Sequence, residues 1–212
     1  MPKALTLRTS ISFDGKPCAS FETPLSAGGT IYTMQVGDVK CWDILQPNLY
    51  DVTYELLDGN AVIDTVQSYF GFRTVELREH SLWLNGRPIF QRLVLDQGYY
   101  PDGVYTAPTD ADLKRDIELS IALGFNGARL HQKVFEERFL YWADRLGYLV
   151  WGEQASWGLD ITTSEGLINF LPEWLEVVAR DRNHPSIIGW CPFNETWDQG
   201  RRRADKRALI TV

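Results

Sequence analysis

The chain has 212 residues, 44% of them hydrophobic, and a formal net charge of −7, which excludes the basic footprint of a nucleic-acid-binding domain. No run approaches the roughly 18 apolar residues of a membrane span. Three widely spaced cysteines, Cys18, Cys41 and Cys191, outline neither a disulfide framework nor a zinc knuckle; with no apolar leader after Met1, the expected setting is cytoplasmic.

In chain order, the first part alternates apolar and polar positions in short runs. Leu5, Leu7, Ile11 and Phe13 lead into Asp14-Gly15, and Ile31, Thr33 and Gln35 outline another run. Residues 50–56 alternate up to Asp58-Gly59-Asn60, and residues 61–69 resume beyond it. Asp-Gly between such runs signals a hairpin. Without a convincing helix, this part reads as a small antiparallel β-sandwich.

From about residue 80 the texture changes. Residues 81–90 form a hairpin with Asn85-Gly86 at its turn, and 89–95 a short apolar strand. Residues 109–123 read as a helix capped by Thr109 or Asp110, with Leu113, Ile117 and Ile121 at helical spacing and Gly124 at its end. A strand at 126–130, a second amphipathic helix at 134–146 ended by Gly147, and a buried strand at 148–151 follow. Asp144 and Arg145 on that second helix read as surface residues. A third helix spans 167–180, with Pro172 near its first turn, and 187–190 is a last buried strand.

The order β-α-β-α-β-α-β with short apolar strands is that of a parallel sheet, either doubly wound or a (β/α)₈ barrel. No glycine-rich phosphate loop follows the first strand, which disfavours a nucleotide-binding sheet. Polar and aromatic residues collect just after each strand, where a barrel carries its active site. A complete barrel takes about 250 residues; four strands are accounted for here.

After the first strand come Asp96, Tyr99 and Tyr100; after the second, Arg129 and His131, two apart and so on one face of a strand. Glu153 and Trp157 follow the third, and Asn194, Glu195 and Trp197 the fourth. Charges facing a lumen need partners or a polar site. Other readings stay open residue by residue: Glu195 as a helix cap, Arg129 with Glu153 as a structural ion pair, His131 as a hydrogen-bonded scaffold group, Trp157 and Trp197 as packing under loops. His80, His131 and His184 lack ligand spacing, so no metal is expected, and no cofactor. Cys191, before Pro192 in an apolar run, reads as a buried inert thiol. Arg201, Arg202, Arg203, Lys206 and Arg207 read as a solvated helix face.

The segment Arg180-Asp181-Arg182-Asn183-His184-Pro185-Ser186-Ile187-Ile188-Gly189-Trp190, continuing to Asn194-Glu195, resembles the signature of glycoside hydrolase family 2, which includes β-galactosidases, β-glucuronidases and β-mannosidases. Pro47-Asn48-Leu49-Tyr50 and Gly71-Phe72-Arg73 resemble the end of that family's immunoglobulin-like domain, and Leu84-Asn85-Gly86-Arg87-Pro88-Ile89 the entry to its barrel. Asp116 through Asn126 with Ala128-Arg129, and Asp144-Arg145-Leu146-Gly147 with Val150-Trp151-Gly152-Glu153, resemble its next helix and strands. The resemblance implies an immunoglobulin-like β-sandwich over residues 1–76 and the N-terminal half of a TIM barrel, about four βα units, over 77–212.

It further implies a retaining glycosidase acting on terminal β-linked sugars, with carbohydrate as the partner and neither nucleic acid nor membrane. Glu195 would be the general acid/base and Asn194 would hold the hydroxyl beside the reacting carbon. Arg129, His131 and Glu153 would line the sugar pocket, with Asp96, Trp157 and Trp197 as further contacts. Such an acid needs its pKa raised by burial and by a nearby carboxylate, and residues 190–193 are expected to form a low-dielectric wall. Three departures stand out. The family's N-terminal sugar-binding sandwich is missing from this sequence, and the immunoglobulin-like domain over 1–76 is expected to be truncated at its start. The second-strand His lies two residues after Arg129, where many members place it three after. The family's nucleophilic Glu lies on a later strand, and only Asp198 and Asp205 follow Glu195, so the isolated chain is expected to be inactive. The alternative is a non-catalytic half-barrel that binds sugar, or that dimerises or pairs with another chain through its open sheet edges.

Overall fold

The computed structural model describes residues 5–26, 29–160 and 163–195. Strands β1 (Thr6–Phe13), β2 (Lys16–Pro24), β3 (Tyr50–Asp58) and β4 (Ala61–Phe70) form an antiparallel sheet in the order β2-β1-β3-β4. A second antiparallel sheet joins β5 (Val75–Arg78), β6 (Ser81–Leu84) and β7 (Arg87–Ile89). The turn chemistry accounts for two of these hairpins. Asp14-Gly15 and Asn85-Gly86 each place two consecutive residues at positive φ, which gives the turn twist that matches paired strands.

Residues 31–36 form no strand. They do alternate, but in the opposite phase: Met34 and Val36 pack on the core of Ile11, Tyr50 and Val52, while Ile31 is fully exposed. Tyr32 bonds through its hydroxyl to Thr9. This extended segment covers one face of the four-stranded sheet without ladder bonds of its own, so side chains rather than a second ladder make the opposing layer there.

The parallel sheet follows, in the order β11-β10-β9-β8, from β8 (Leu93–Asp96), β9 (Gly127–Leu130), β10 (Leu149–Glu153) and β11 (Ile187–Cys191). Helices α1 (Asp110–Ala122), α2 (Glu137–Leu146) and α3 (Ser164–Asp181) connect them. The β-α-β-α-β-α-β order is as the periodicity indicates. Thr109 caps α1 by accepting from Asp112 N–H. Leu113 and Ile117 are buried, but Ile121 is exposed and Ser120 takes its place, bonded to the Tyr148 hydroxyl at 2.7 Å. Helix α2 starts three residues later than its apolar pattern suggests, because Val134 and Phe135 belong to the irregular segment before it and Phe135 packs into the core. Pro172 lies well inside α3, not in its first turn. Ile168, four residues earlier, is exposed, so the carbonyl that lacks a helical partner stays open to water. Among the described residues no helix is long and apolar enough to cross a membrane.

Asp144 corrects the surface reading of α2. It is 0% exposed, because the β domain covers the face of α2 that carries it. Its carboxylate accepts from the Tyr69 hydroxyl at 2.9 Å, His184 Nδ1 at 2.6 Å and Ser186 N–H at 2.9 Å, while its carbonyl accepts from Trp42 Nε1 at 2.7 Å. Burial first, and then the Asp144 charge, pushes the Tyr69 phenol well above its ordinary value. Arg73 reinforces the junction by donating to the carbonyls of Pro185 and Ile187 at 2.7 and 2.6 Å. Gly71 lets the chain pass closely beside it, since a Cβ there would lie 3.0 Å from Pro185 Cγ.

Replacing Asp144 by Ala strands the Tyr69 hydroxyl, His184 Nδ1 and Ser186 N–H together. Urea unfolding is expected to show a loss of about 3–5 kcal/mol. A loss below about 1 kcal/mol would show that the junction does not depend on this carboxylate.

Candidate active site

The C-terminal ends of the four parallel strands deliver a polar cluster to one face. At its centre is Glu153, the last residue of β10, only 1% exposed. Arg129 on β9 donates through Nε to Glu153 Oε2 at 2.7 Å, and Gln132 N–H donates to Oε1 at 2.9 Å. Arg129 also donates through Nη2 to Asn194 Oδ1 at 2.6 Å. One guanidinium therefore joins the exits of β9, β10 and β11. Burial opposes its charge, but Glu153 and Cys191 together more than offset this and raise Arg129 above its ordinary value. The pair is thus a structural ion pair and a bracket for the site at once.

Asn194 is 8% exposed, its N–H donates to Ser156 Oγ at 3.2 Å, and its Nδ2 has no partner among the described residues. Glu195, next in the chain, is exposed and holds a positive φ of 50°. The expected apolar wall is not built around it. Trp190 turns toward Trp174 and Phe193 stacks on Phe170, both of α3, so the run 190–193 seals the helix layer instead. Trp197 lies outside the described residues.

His131 is buried. Gln97 Nε2 lies 2.9 Å from His131 Nδ1, so the ring is held by the residue after β8. The Trp157 indole meets this ring edge-on at 5.3 Å and is 57% exposed rather than packed under a loop. His131 thus reaches the β8 and β10 exits, not the partners of Arg129.

Asp96 ends β8 and accepts from Gly98 N–H at 2.8 Å. Burial lifts its carboxyl above the ordinary range, the Gly98 bond pulls it back, Asp116 raises it and Lys133 lowers it. Lys133, itself buried, donates to the carbonyls of Gly98 and Tyr105 at 3.2 and 2.5 Å, which pins the β8–α1 loop. Among the described residues no hydrogen bond joins the Asp96 side chain to the Arg129–Glu153–Asn194 cluster. The Cys191 thiol is pushed up by burial and then by the Glu153 charge; it stays protonated, as an inert thiol should.

Gln97, Gln132, Lys133 and Ser156 belong to this cluster, though the sequence alone does not single them out. A signal exists for three of them: Gln97, Gln132 and Lys133 occupy the same after-strand positions that point to Asp96 and His131. Among the described residues no group of three or more His, Cys, Asp or Glu side chains is placed to hold a metal ion.

Comparison with known proteins gives two family matches. Residues 8–73 match "Glycosyl hydrolases family 2", and residues 75–212 match "Glycosyl hydrolases family 2, TIM barrel domain". A putative β-glucuronidase of Formosa agariphila is 31% identical over 194 residues, 88% of this chain and 18% of that protein. A β-galactosidase of Thermoanaerobacterium thermosulfurigenes is 32% identical over 182 residues, 84% of this chain and 25% of that protein. The chain therefore spans a quarter or less of the length of these relatives. Among solved structures, a Bacteroides uniformis β-glucuronidase superposes with a TM-score of 0.81 at 23% identity, over 98% of this chain and 26% of its own. A Ruminococcus gnavus β-glucuronidase does so with 0.80 at 25% identity, over 100% and 36%. The expected fold, a small immunoglobulin-like β domain before a partial TIM barrel, agrees with these matches.

Two stability changes test the electrostatics. Asp96 has a raised carboxyl in the fold, so the folded chain holds its proton more tightly than the unfolded chain, and its contribution to stability falls as pH rises from the ordinary value of 3.8 through the raised one. Asp96→Asn is therefore expected to raise the melting temperature at neutral pH, with the gain closing as pH falls toward 3.8; a gain independent of pH would refute the assignment. Arg129→Met leaves the Glu153 charge buried with one donor and is expected to cost about 3 kcal/mol, most of it recovered in Arg129→Met/Glu153→Leu. No recovery in the double variant would mean that the pair is not the source of the loss.

Proposed function

Because the chain belongs to glycosyl hydrolases family 2, we propose that it carries the acid/base side of a retaining glycosidase site for terminal β-linked sugars, with Glu195 as the general acid/base. The observation that carries this reading is the Asn194-Glu195 pair directly after β11. Asn194 is buried and held at both its amide oxygen and its N–H, and Glu195 stands exposed beside it.

In a retaining reaction, one carboxyl group protonates the leaving oxygen while a second, about 5–5.5 Å away, attacks the anomeric carbon. The first then takes a proton from the water that releases the sugar. Glu195 fits the first role by its place, next to the doubly held Asn194 at the exit of β11; the burial expected of such an acid is not supplied by the described residues, among which Glu195 is exposed. Glu153 does not fit the second, because both of its oxygens are committed to Arg129 and Gln132. The attacking carboxylate is thus a residue other than Glu153, on a later strand as the family resemblance implies; the activity is that of the whole enzyme, and the isolated 212-residue chain is inactive in this reading.

Asn194 Nδ2, without a partner among the described residues, supports a role toward the hydroxyl beside the reacting carbon. Arg129, Glu153, His131 and Asp96 line the pocket, and the exposed Trp157 offers a face for a sugar ring. The names of the relatives make β-glucuronides and β-galactosides the first substrates to test.

The full-length enzyme is expected to release the β-anomer from aryl β-glycosides. Glu195→Gln should lower kcat by about 10²–10⁴-fold on substrates with poor leaving groups. Release of the α-anomer, or full turnover by Glu195→Gln, would sink the proposal. Turnover by the 212-residue chain alone would refute its inactivity.

A further inference from the structure

Gln132 stands out among the strand-end residues because both ends of its side-chain amide bond to a neighbouring loop. It follows β9 at a positive φ of 54°, a conformation a non-glycine residue keeps only when its surroundings hold it there. Its Oε1 accepts from both Ser156 N–H and Trp157 N–H, at 2.9 and 3.0 Å. Its Nε2 donates to Ser156 Oγ at 3.1 Å. Ser156, 2% exposed, then accepts the Asn194 N–H on the same oxygen. A hydroxyl oxygen has two lone pairs, and both are used.

Asn194 is thus gripped twice, and both grips start at the β9 exit. Arg129 takes its side chain directly, and Gln132 takes its backbone through Ser156. We propose that Gln132 and Ser156 are positioning residues: a side-chain relay by which the loop after β9 sets the place of the Asn194-Glu195 backbone after β11, and of Trp157 on the way. The proposal rests on the reading of Glu195 as acid/base. Removing the Ser156 oxygen leaves a buried N–H without an acceptor, and the loop shifts to find one. The carboxyl of the next residue moves with it, and misplacement by about 1 Å costs a reaction up to about 100-fold. A group misplaced for proton donation matters most when the leaving oxygen needs its proton.

The test compares Ser156→Ala and Gln132→Leu with the wild type in two readouts. In amide hydrogen exchange, the Asn194 amide should exchange at least about tenfold faster in either variant. In the full-length enzyme, kcat on alkyl β-glycosides should fall about 10- to 100-fold, with KM within about threefold. On dinitrophenyl β-glycosides, whose leaving group needs no proton, the fall should be several-fold smaller. The double variant should lose no more than the worse single one, as members of one relay do. Unchanged Asn194 exchange, equal losses on both substrate classes, or additive losses would each overturn the relay; a residue that merely stabilises the fold gives equal losses. If Ser156→Ala does not fold, Gln132→Leu alone decides by the same criteria. If the wild-type enzyme hydrolyses no glycoside, the functional reading fails, and the exchange of Asn194 still decides whether the relay exists.

Discussion

The site depends on one electrostatic demand. A carboxylate as deeply buried as Glu153 is tolerated only with charged and hydrogen-bonding partners around it. Arg129 supplies the charge, and because a guanidinium is a planar fork of several donors, satisfying Glu153 with one edge leaves another for Asn194. The second carboxylate oxygen recruits a backbone N–H, which places Gln132 where its side chain can reach Ser156. The exposed groups, Glu195 and Trp157, then ride on loops whose buried neighbours have no freedom left. Precision in the accessible residues is a by-product of satisfying the inaccessible one.

The same physics operates on Asp144, at the junction with the β domain. There the buried carboxylate is met by donors from both domains, Tyr69 on one side and His184 and Ser186 on the other, while Trp42 donates to the backbone carbonyl of the same residue. Two buried acids thus do separate jobs. Glu153 organises the strand exits, and Asp144 joins the domain that precedes the barrel to the helix layer around it.

Much of this architecture was legible in the sequence, because turn chemistry and periodicity are local. Asp14-Gly15 and Asn85-Gly86 need positive φ and take it, and the strand–helix alternation from residue 93 onward follows the apolar pattern. Arg129, Glu153, Asn194 and Glu195 lie on or just after parallel strands, where the strand-end rule expects them. What escaped depends on contacts remote in sequence. Asp144 sits on a polar helix position that only a second domain makes interior. Residues 31–36 alternate correctly, but two phases of alternation look alike until the sheet they cover is known. Trp190 and Phe193 read as a wall for Glu195 because a sequence does not say which way a strand-end side chain turns. Gln132 and Ser156 escaped because an amide side chain has no periodic signature, and its partners are 24 residues away.

The Asp144 junction also bears on how the chain comes to be made. Its partners are separated by 102 residues for Trp42 and by 75 for Tyr69, and Tyr69 precedes His184 by 115. Trp42, fully buried in the finished structure, shares its cluster with Leu149 and Ile188. On a ribosome adding about 5–20 residues per second, the indole waits roughly 7 to 29 seconds for Ile188, the last of its cover. During translation the β domain therefore carries the Trp42 indole uncovered until the strands that bury it have been made.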